Sequence, residues 1–145
     1  MKLPRPFPGL VIRYSFLWRR DVEAGREEGS KDRPCAVILA VPTTGERIRV
    51  IVLPVTHASP AKLAATIEIP PRVKAHLGLD EQQSWIVLEE ANEFIWPGFD
   101  LRPVPGKPGS YAYGFLPPAL FNMVVQRALE LRRTGKSLSV SREAG

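Results

Sequence analysis

Two polar residues, Arg33 and Thr56, stand at the ends of apolar runs and could bind one phosphate together. Arg33 precedes the run Pro34–Val41, and Thr56 follows the run Arg47–Val55. The turn residues Thr43–Gly45 between the runs predict an antiparallel hairpin, in which the start of one strand faces the end of the next. Both side chains would then lie at the open end of the hairpin. A guanidinium offers a fixed fork of donors and a hydroxyl adds a neutral donor, which together suit a phosphate.

Each of these residues also has a simpler interpretation. An arginine before a proline is often only an exposed residue with an extended backbone, and Thr56 could merely satisfy the end of its strand. Cys35 lies within an apolar run and is predicted to be a small buried hydrophobe. A Cys35–His57 nucleophile pair would need solvent access that this pattern denies. His57 follows Thr56 and could transfer protons, because imidazole titrates near neutrality, or it could only end the strand.

The composition limits the class of protein. The chain has 145 residues, of which 44% are hydrophobic and 24% charged, values that suit one globular domain. Twenty lysines and arginines against 15 acids give a net charge of +5, which mildly favours a polyanionic partner over a merely basic surface. No apolar stretch is long enough for a bilayer, and the N-terminus lacks the apolar run of a signal peptide. We therefore expect no membrane association and a cytoplasmic location.

Several familiar catalytic motifs are missing from the sequence. It contains no GxGxxG, no GxxxxGK[ST] and no G-x-S-x-G, so a nucleotide-binding loop and a hydrolase elbow are unsupported. Two distant histidines and one cysteine cannot form a structural zinc site. We expect neither a metal nor a cofactor. The three tryptophans could stack on bases, although aromatic residues in strands more often belong to the core.

The remaining pattern predicts an α+β protein with short antiparallel strands. Besides the hairpin, strands are predicted at Gly9–Trp18, Ala65–Ile69, Trp85–Glu89, Glu93–Trp96 and Tyr111–Phe115. The charged segment Arg19–Asp32 is predicted to be a solvated loop. Short strands with tight turns favour a small, strongly bent antiparallel barrel with helices packed outside.

Two segments have the signals of helices. A short one is predicted within 70–80 and a terminal one within 116–135, because each begins with paired prolines and reaches a glycine near its end. The terminal helix carries a wide apolar face, which we expect to be covered on more than one side. That face consists of Leu120, Phe121, Met123, Val124, Val125, Ala128, Leu129 and Leu131. Residues 134–145 are predicted to form a frayed polar tail.

Two sequence motifs, one at each strand of the predicted hairpin, resemble those of a known family. The stretch "RPCAVILA" at 33–40, followed by "IVLPVTH" at 51–57, resembles the two signature segments of MazF/PemK-type toxins. The opening "PGLVIRYSF", the loop end "EEGSKDRP" and the final "LPPALFNMVVQRALELR" lie where that family has its first strand, long first loop and last helix. The likeness runs from about Gly9 to Arg133, so residues 1–133 are assigned to one domain.

The resemblance implies an SH3-like barrel that forms a homodimer. It also implies a ribonuclease that cuts single-stranded RNA without a metal and is inhibited by a cognate antitoxin protein. Arg33 matches the catalytic arginine of the family, and Thr56 matches its catalytic hydroxyl residue. The family carries an arginine and an aspartate at a later turn, where this chain has "LEEANEF". Glu90 could serve there as the acidic residue.

The sequence leaves two choices open. The general base for RNA cleavage could be Glu90 or His57. The protein could also be a catalytically silent SH3-like barrel that binds RNA or a protein partner. The cations near the long loop are the candidate RNA contacts, namely Arg19, Arg20, Arg26 and Lys31.

Overall fold

The computed structural model describes residues 3–26, 31–60 and 65–142. Over these residues the elements run β1 (Leu10–Tyr14), α1 (Arg19–Glu23), β2 (Arg33–Pro42), β3 (Ile48–Thr56), β4 (Thr66–Glu68), α2 (Pro71–Leu77), β5 (Trp85–Val87), β6 (Glu90–Ile95), β7 (Ala112–Phe115), α3 (Pro118–Arg133) and β8 (Leu138–Ser141). The predicted α+β class is confirmed.

The β2–β3 hairpin forms as predicted. Its strands pair antiparallel with Cys35 opposite Pro54. The turn is closed by a hydrogen bond of 2.8 Å from the Thr43 N–H to the Arg47 carbonyl. Gly45 in this turn has a φ of +74°, a conformation that glycine adopts without steric cost. The turn sets the register of the first pairs, and a register shift between Val37 and Leu39 then sets the pairing toward the open end of the hairpin.

β3 is the most connected strand of the sheet. Along one edge it pairs with β2; along the other it pairs first with β6 and then, at Val55–Thr56, with β5. β5 and β6 follow one another in the chain with only Leu88 and Glu89 between them, so they cover successive parts of the same β3 edge. From β4 to β7 the pairing order is β4-β5-β3-β2-β1-β7, and β6 branches from β3.

Side chains alternate between two apolar clusters on opposite faces of the sheet. On β2, Ala36 belongs to one cluster, whereas Cys35 and Val37 belong to the other. Leu77 of α2 and Val124 of α3 cover the first cluster. This alternation follows from the two-residue period of a strand that is buried on both faces. Cys35 is fully buried, as predicted.

The helices follow their sequence signals, with one exception. α2 starts at a proline and is closed by Gly78 with a φ of +70°. On α3, Leu120, Val124 and Ala128 are buried, but Met123 and Leu129 remain about half exposed. α3 packs on the core through Leu120, Val124 and Ala128, with Phe121 and Leu131 partly buried beside them. The expected cover on a second side is not formed by the described residues of this chain.

Segment 19–32 is not entirely a loop. Its start folds into the single turn α1, in which the Trp18 carbonyl accepts hydrogen bonds from the N–H groups of Asp21 and Val22. β1 also stops earlier than predicted, at Tyr14, and the Ser15 N–H bonds to the Asp100 carbonyl instead. Residues 27–30 lie outside the described part of the chain.

The tail does not fray at Leu138–Ser141. This stretch forms β8, which pairs parallel with β6, and Val140 is buried. The cause is a partner that the local sequence does not reveal: β6 is bonded to β3 on one side and offers its other edge to β8. Residues 143–145 lie outside the described part of the chain.

Candidate functional site

Arg33 opens β2 at the predicted end of the hairpin. The β2–β3 register places it opposite Thr56, so the two residues do lie at the same end. The Arg33 side chain is not freely exposed, however, because the residue is only 7% accessible. Its Nη1 donates to the Val55 carbonyl at 3.3 Å, and its guanidinium lies 5.1 Å from the centre of the Trp18 ring. Burial lowers the pKa of this guanidinium below its ordinary value.

Arg33 lines one cavity, and Trp18, whose ring its guanidinium faces, lines a second. The first, which we call the basic cleft, has a volume of about 460 Å³. Its polar lining includes Arg13, Lys31, Arg33, His57, Asp80 and Tyr113. The second, the tryptophan groove, has a volume of about 250 Å³. Its lining includes Trp18, Arg20, Thr56, Glu89 and Glu90. Of the predicted catalytic residues, Arg33 and His57 therefore line the basic cleft, whereas Thr56 and Glu90 line the tryptophan groove.

The basic cleft is lined by three cations and by two carboxylates, each of which has a basic partner. Arg13 reaches it from β1, and its Nη1 donates to the Tyr113 hydroxyl at 3.0 Å. The carboxylate of Asp32 is engaged by Arg102 at 3.7 Å. Lys31 lies two residues before β2 and Arg33 opens it, so three cations from two separate segments line one cleft. Such an arrangement favours an anionic ligand.

His57 is the histidine that lines the basic cleft. It follows β3 directly, and its Nε2 lies 2.8 Å from Oδ2 of Asp80. The other oxygen of Asp80 accepts a hydrogen bond of 2.7 Å from Lys74. Burial acts to raise the pKa of Asp80, but the hydrogen bond from Lys74 and the charge of His57 outweigh it and lower that pKa below its ordinary value of 3.8.

Thr56 and Glu90 both have backbone partners in the tryptophan groove. The Thr56 Oγ1 accepts a hydrogen bond of 3.1 Å from the Ala58 N–H. A hydroxyl that accepts in this way keeps its own O–H as a donor. Glu90 opens β6, and its Oε1 accepts a hydrogen bond of 2.8 Å from the Arg19 N–H. The carboxylate of Glu90 therefore already caps the start of α1.

The four candidate RNA contacts differ in position. Arg20 lines the tryptophan groove with its guanidinium 5.3 Å from the Trp18 ring centre, and Lys31 lines the basic cleft. Arg19 and Arg26 line neither cavity. Their side chains lie near carboxylates of the same segment, with Arg19 Nε 3.8 Å from Glu23 and Arg26 Nη1 4.0 Å from Asp21.

Sequence reasoning missed the residues that hold Trp18 in place. Asn92 on β6 is fully buried, and its amide accepts from the Leu17 N–H at 2.9 Å and donates to the Leu17 carbonyl at 2.8 Å. This pair of bonds fixes the backbone next to Trp18, on which Arg33 rests. An asparagine at an inward position of a strand is the only signal that could have suggested it.

Metal and thiol chemistry receive no support from the geometry. In the described part of the chain, no group of three or more histidine, cysteine, aspartate or glutamate side chains could hold a metal ion. Cys35 has no accessible surface, and burial raises the pKa of its thiol far above the ordinary value. The alternative of a Cys35–His57 nucleophile pair is thereby excluded, since a substrate could not reach the sulfur.

Comparison with known proteins leaves the site as the main source of functional information. The chain matches no protein-family model and no curated protein. Within residues 3–26, 31–60 and 65–142, none of the helices combines the length and the apolar character that crossing a bilayer requires.

Proposed function

We propose that this protein is a metal-independent endoribonuclease of the MazF/PemK type, which cleaves single-stranded RNA by attack of the RNA's own 2′-hydroxyl. One observation carries the proposal. Arg33 opens β2 and His57 follows β3, and both residues line the basic cleft. Thr56 lies beside them at the end of β3. A cation, a proton acceptor and a hydroxyl donor are the groups that this reaction needs.

The proposed reaction starts with removal of the proton from the 2′-hydroxyl. The 2′-oxygen then bonds to the adjacent phosphorus, and the bond from phosphorus to the 5′-oxygen breaks. The leaving 5′-oxygen takes up a proton, so the products are a 2′,3′-cyclic phosphate and a 5′-hydroxyl. Arg33 stabilises the extra negative charge on the phosphoryl oxygens in the basic cleft. Thr56 lines the neighbouring tryptophan groove, where its O–H can donate to the adjoining part of the RNA backbone.

His57 is the better supported of the two candidate bases. It lines the same cleft as Arg33, and its side chain is 42% exposed and so accessible to substrate. Glu90 lines the other cavity, and its carboxylate accepts the Arg19 N–H. Glu90 therefore lies in a different cavity from Arg33, with its carboxylate already engaged at the start of α1.

Binding of the RNA strand would use both cavities. Lys31 and Arg13 in the basic cleft can contact phosphates, while Arg20 and the edge of Trp18 border a groove with room for a base. Arg19 and Arg26 would add only long-range attraction, since each lies near an acidic neighbour.

Other parts of the proposal come from the family resemblance. They are an SH3-like barrel, a homodimer, a cognate antitoxin and a cytoplasmic location. The exposed Met123 and Leu129 on α3 are apolar residues that a second copy could cover.

One observation favours the second candidate, a catalytically silent barrel that binds RNA or a protein. Arg33 is 93% buried and already donates to the Val55 carbonyl, as a structural arginine would. Under this alternative the basic cleft binds RNA with a steep dependence on salt, but no phosphodiester is cut.

Rates of RNA cleavage decide between the two. Purified protein is incubated with a mixed-sequence single-stranded RNA in the presence of EDTA, and the variant Arg33→Met is compared with Arg132→Met. Both variants lose one positive charge, but Arg132 is an exposed residue at the end of α3. Methionine keeps the apolar volume under Trp18, which alanine would not.

We expect Arg33→Met to cleave about 10²–10³-fold more slowly than the parent, the usual loss when one charge-stabilising donor is removed. Arg132→Met should cleave at the parental rate. RNA that is bound but left intact by the parent would support the silent barrel, and equal rates for all three proteins would remove Arg33 from the site.

A further inference from the structure

Lys74 is a buried lysine whose ammonium group has an acceptor for each of its N–H donors. It lies on α2, and the residue is only 5% exposed. Its Nζ donates to Oδ1 of Asp80 at 2.7 Å, to the Ser84 hydroxyl at 2.7 Å and to the Gln82 carbonyl. An ammonium has three N–H donors, and all three have acceptors here. Removing such a charge from water is costly, so this arrangement calls for an explanation beyond packing.

The other end of the network reaches the proposed active site. Asp80 is half exposed, and it uses one oxygen for Lys74 and the other for His57. The bond to His57 is 2.8 Å long and involves Nε2. Lys74 therefore fixes the carboxylate, and the carboxylate in turn fixes the imidazole at the wall of the basic cleft.

A carboxylate that accepts from Nε2 determines which nitrogen of His57 carries the proton. With Nε2–H donating to Asp80, the lone pair of the neutral ring is on Nδ1. No other charged lining residue can do this: Arg13, Lys31 and Arg33 are cations without acceptors, and the Asp32 carboxylate is paired with Arg102.

We propose that Lys74 and Asp80 are positioning residues that hold His57 with Nε2 protonated, so that Nδ1 accepts the proton of the ribose 2′-hydroxyl. The base role rests on the proposed nuclease function, whereas the positioning does not. The order of contacts is Lys74 to Asp80 to His57, from the interior of the protein to the cleft. Neither positioning residue touches the reacting atoms.

Nitrogen NMR of the histidine rings tests the arrangement without RNA. The chain has only two histidines, and His76 is an exposed residue of α2 that serves as an internal control. In the neutral rings of the parent protein we expect an observable Nε2–H proton on His57, exchanging with water at least about 10-fold more slowly than that of His76. The signal should be lost in Asp80→Asn and in Lys74→Met.

Asp80→Asn is the principal variant, because it keeps the size of this half-exposed side chain and an amide oxygen that can still accept from the buried Lys74. Lys74→Met could destabilise α2, so its result counts only if its circular dichroism matches the parent. In cleavage assays Asp80→Asn should lower kcat on the order of 10²-fold with KM within about 2-fold, because RNA binding keeps its cations while the base is misaligned. Asp80→Glu, which retains the carboxylate, should restore part of kcat.

The outcomes separate the two proposals. A parent protein without a protected Nε2–H on His57 would overturn the positioning inference, whatever its nuclease activity. A protected Nε2–H that disappears in Asp80→Asn while kcat is unchanged would overturn the base role. If the signal is present but the parent cuts no RNA, the nuclease proposal fails while the Lys74–Asp80–His57 arrangement stands.

Discussion

Removal of the Arg142 side chain should destabilise the whole fold, although this residue lies in a tail that the sequence suggests is frayed. Its side chain is 4% exposed, and Nη2 pairs with Asp100 at 2.9 Å. Its Nη1 donates to the Ser15 carbonyl at 2.6 Å and to Oδ1 of Asn92 at 3.1 Å. The guanidinium also lies 5.7 Å from the Tyr14 ring centre. The tail is thus joined to three distant segments.

The size of the effect follows from these contacts. Removing one member of a buried ion pair costs about 3–5 kcal/mol. Asp100 retains some solvent contact, with 18% of its side chain exposed, so the lower end of that range applies. We expect Arg142→Met to lose about 3 kcal/mol, which lowers Tm by roughly 6–12 °C for a chain of this size. Deletion of 136–145 should cost more, because it also removes β8 and the buried Val140.

Urea unfolding followed by tryptophan fluorescence measures this loss directly. Arg132→Met is the matched control, since it removes the same charge from an exposed site and should change stability by less than about 0.5 kcal/mol. If Arg142→Met unfolded at the same urea concentration as the control, the tail would not be anchored and the argument from its contacts would be wrong.

Three further predictions concern other buried or paired groups. Cys35 should react with a thiol reagent only after unfolding, because it has no exposed surface; rapid labelling of the native protein would contradict its burial. Folding lowers the pKa of Asp80, so the stability that its carboxylate contributes to the fold is complete above pH 3.8. That contribution is lost as the pH falls through the lower pKa that Asp80 has in the folded protein. Asp80→Asn should therefore be less sensitive than the parent to acid below pH 3.8, whereas the exposed-residue control Glu81→Gln should follow the parent in acid unfolding. Asn92→Leu should lose about 3 kcal/mol or more in thermal unfolding, because the Leu17 N–H and carbonyl would be left buried without their partner; a loss below 1 kcal/mol would refute this.

The elements that local signals determine could be predicted from the sequence. The β2–β3 hairpin follows from a short turn between two apolar runs, and α2 follows from its opening prolines and from Gly78. The convergence of Arg33 and Thr56 at one end of the hairpin needs only antiparallel pairing. These features depend on residues within about 25 positions of one another.

Features that depend on distant partners could not be predicted. β8 has a weakly apolar sequence, and it becomes a strand because β6 offers it an edge and because Arg142 finds acceptors far away in the chain. The Asp80–His57 contact joins the end of β3 to the residues after α2, and no local pattern links them. The burial of Arg33 depends on Trp18, whose position is set by Asn92 from another strand.

The most direct test of the central claim is the requirement for the attacking hydroxyl itself. The parent protein is given a single-stranded RNA in EDTA, together with the same RNA carrying one 2′-deoxy nucleotide on the 5′ side of the main cleavage position, and the product ends are identified by mass spectrometry. The account predicts a 2′,3′-cyclic phosphate from the all-ribose strand and no cut at the deoxy position. Equal cleavage of both strands, or products that end in a 3′-hydroxyl, would contradict it.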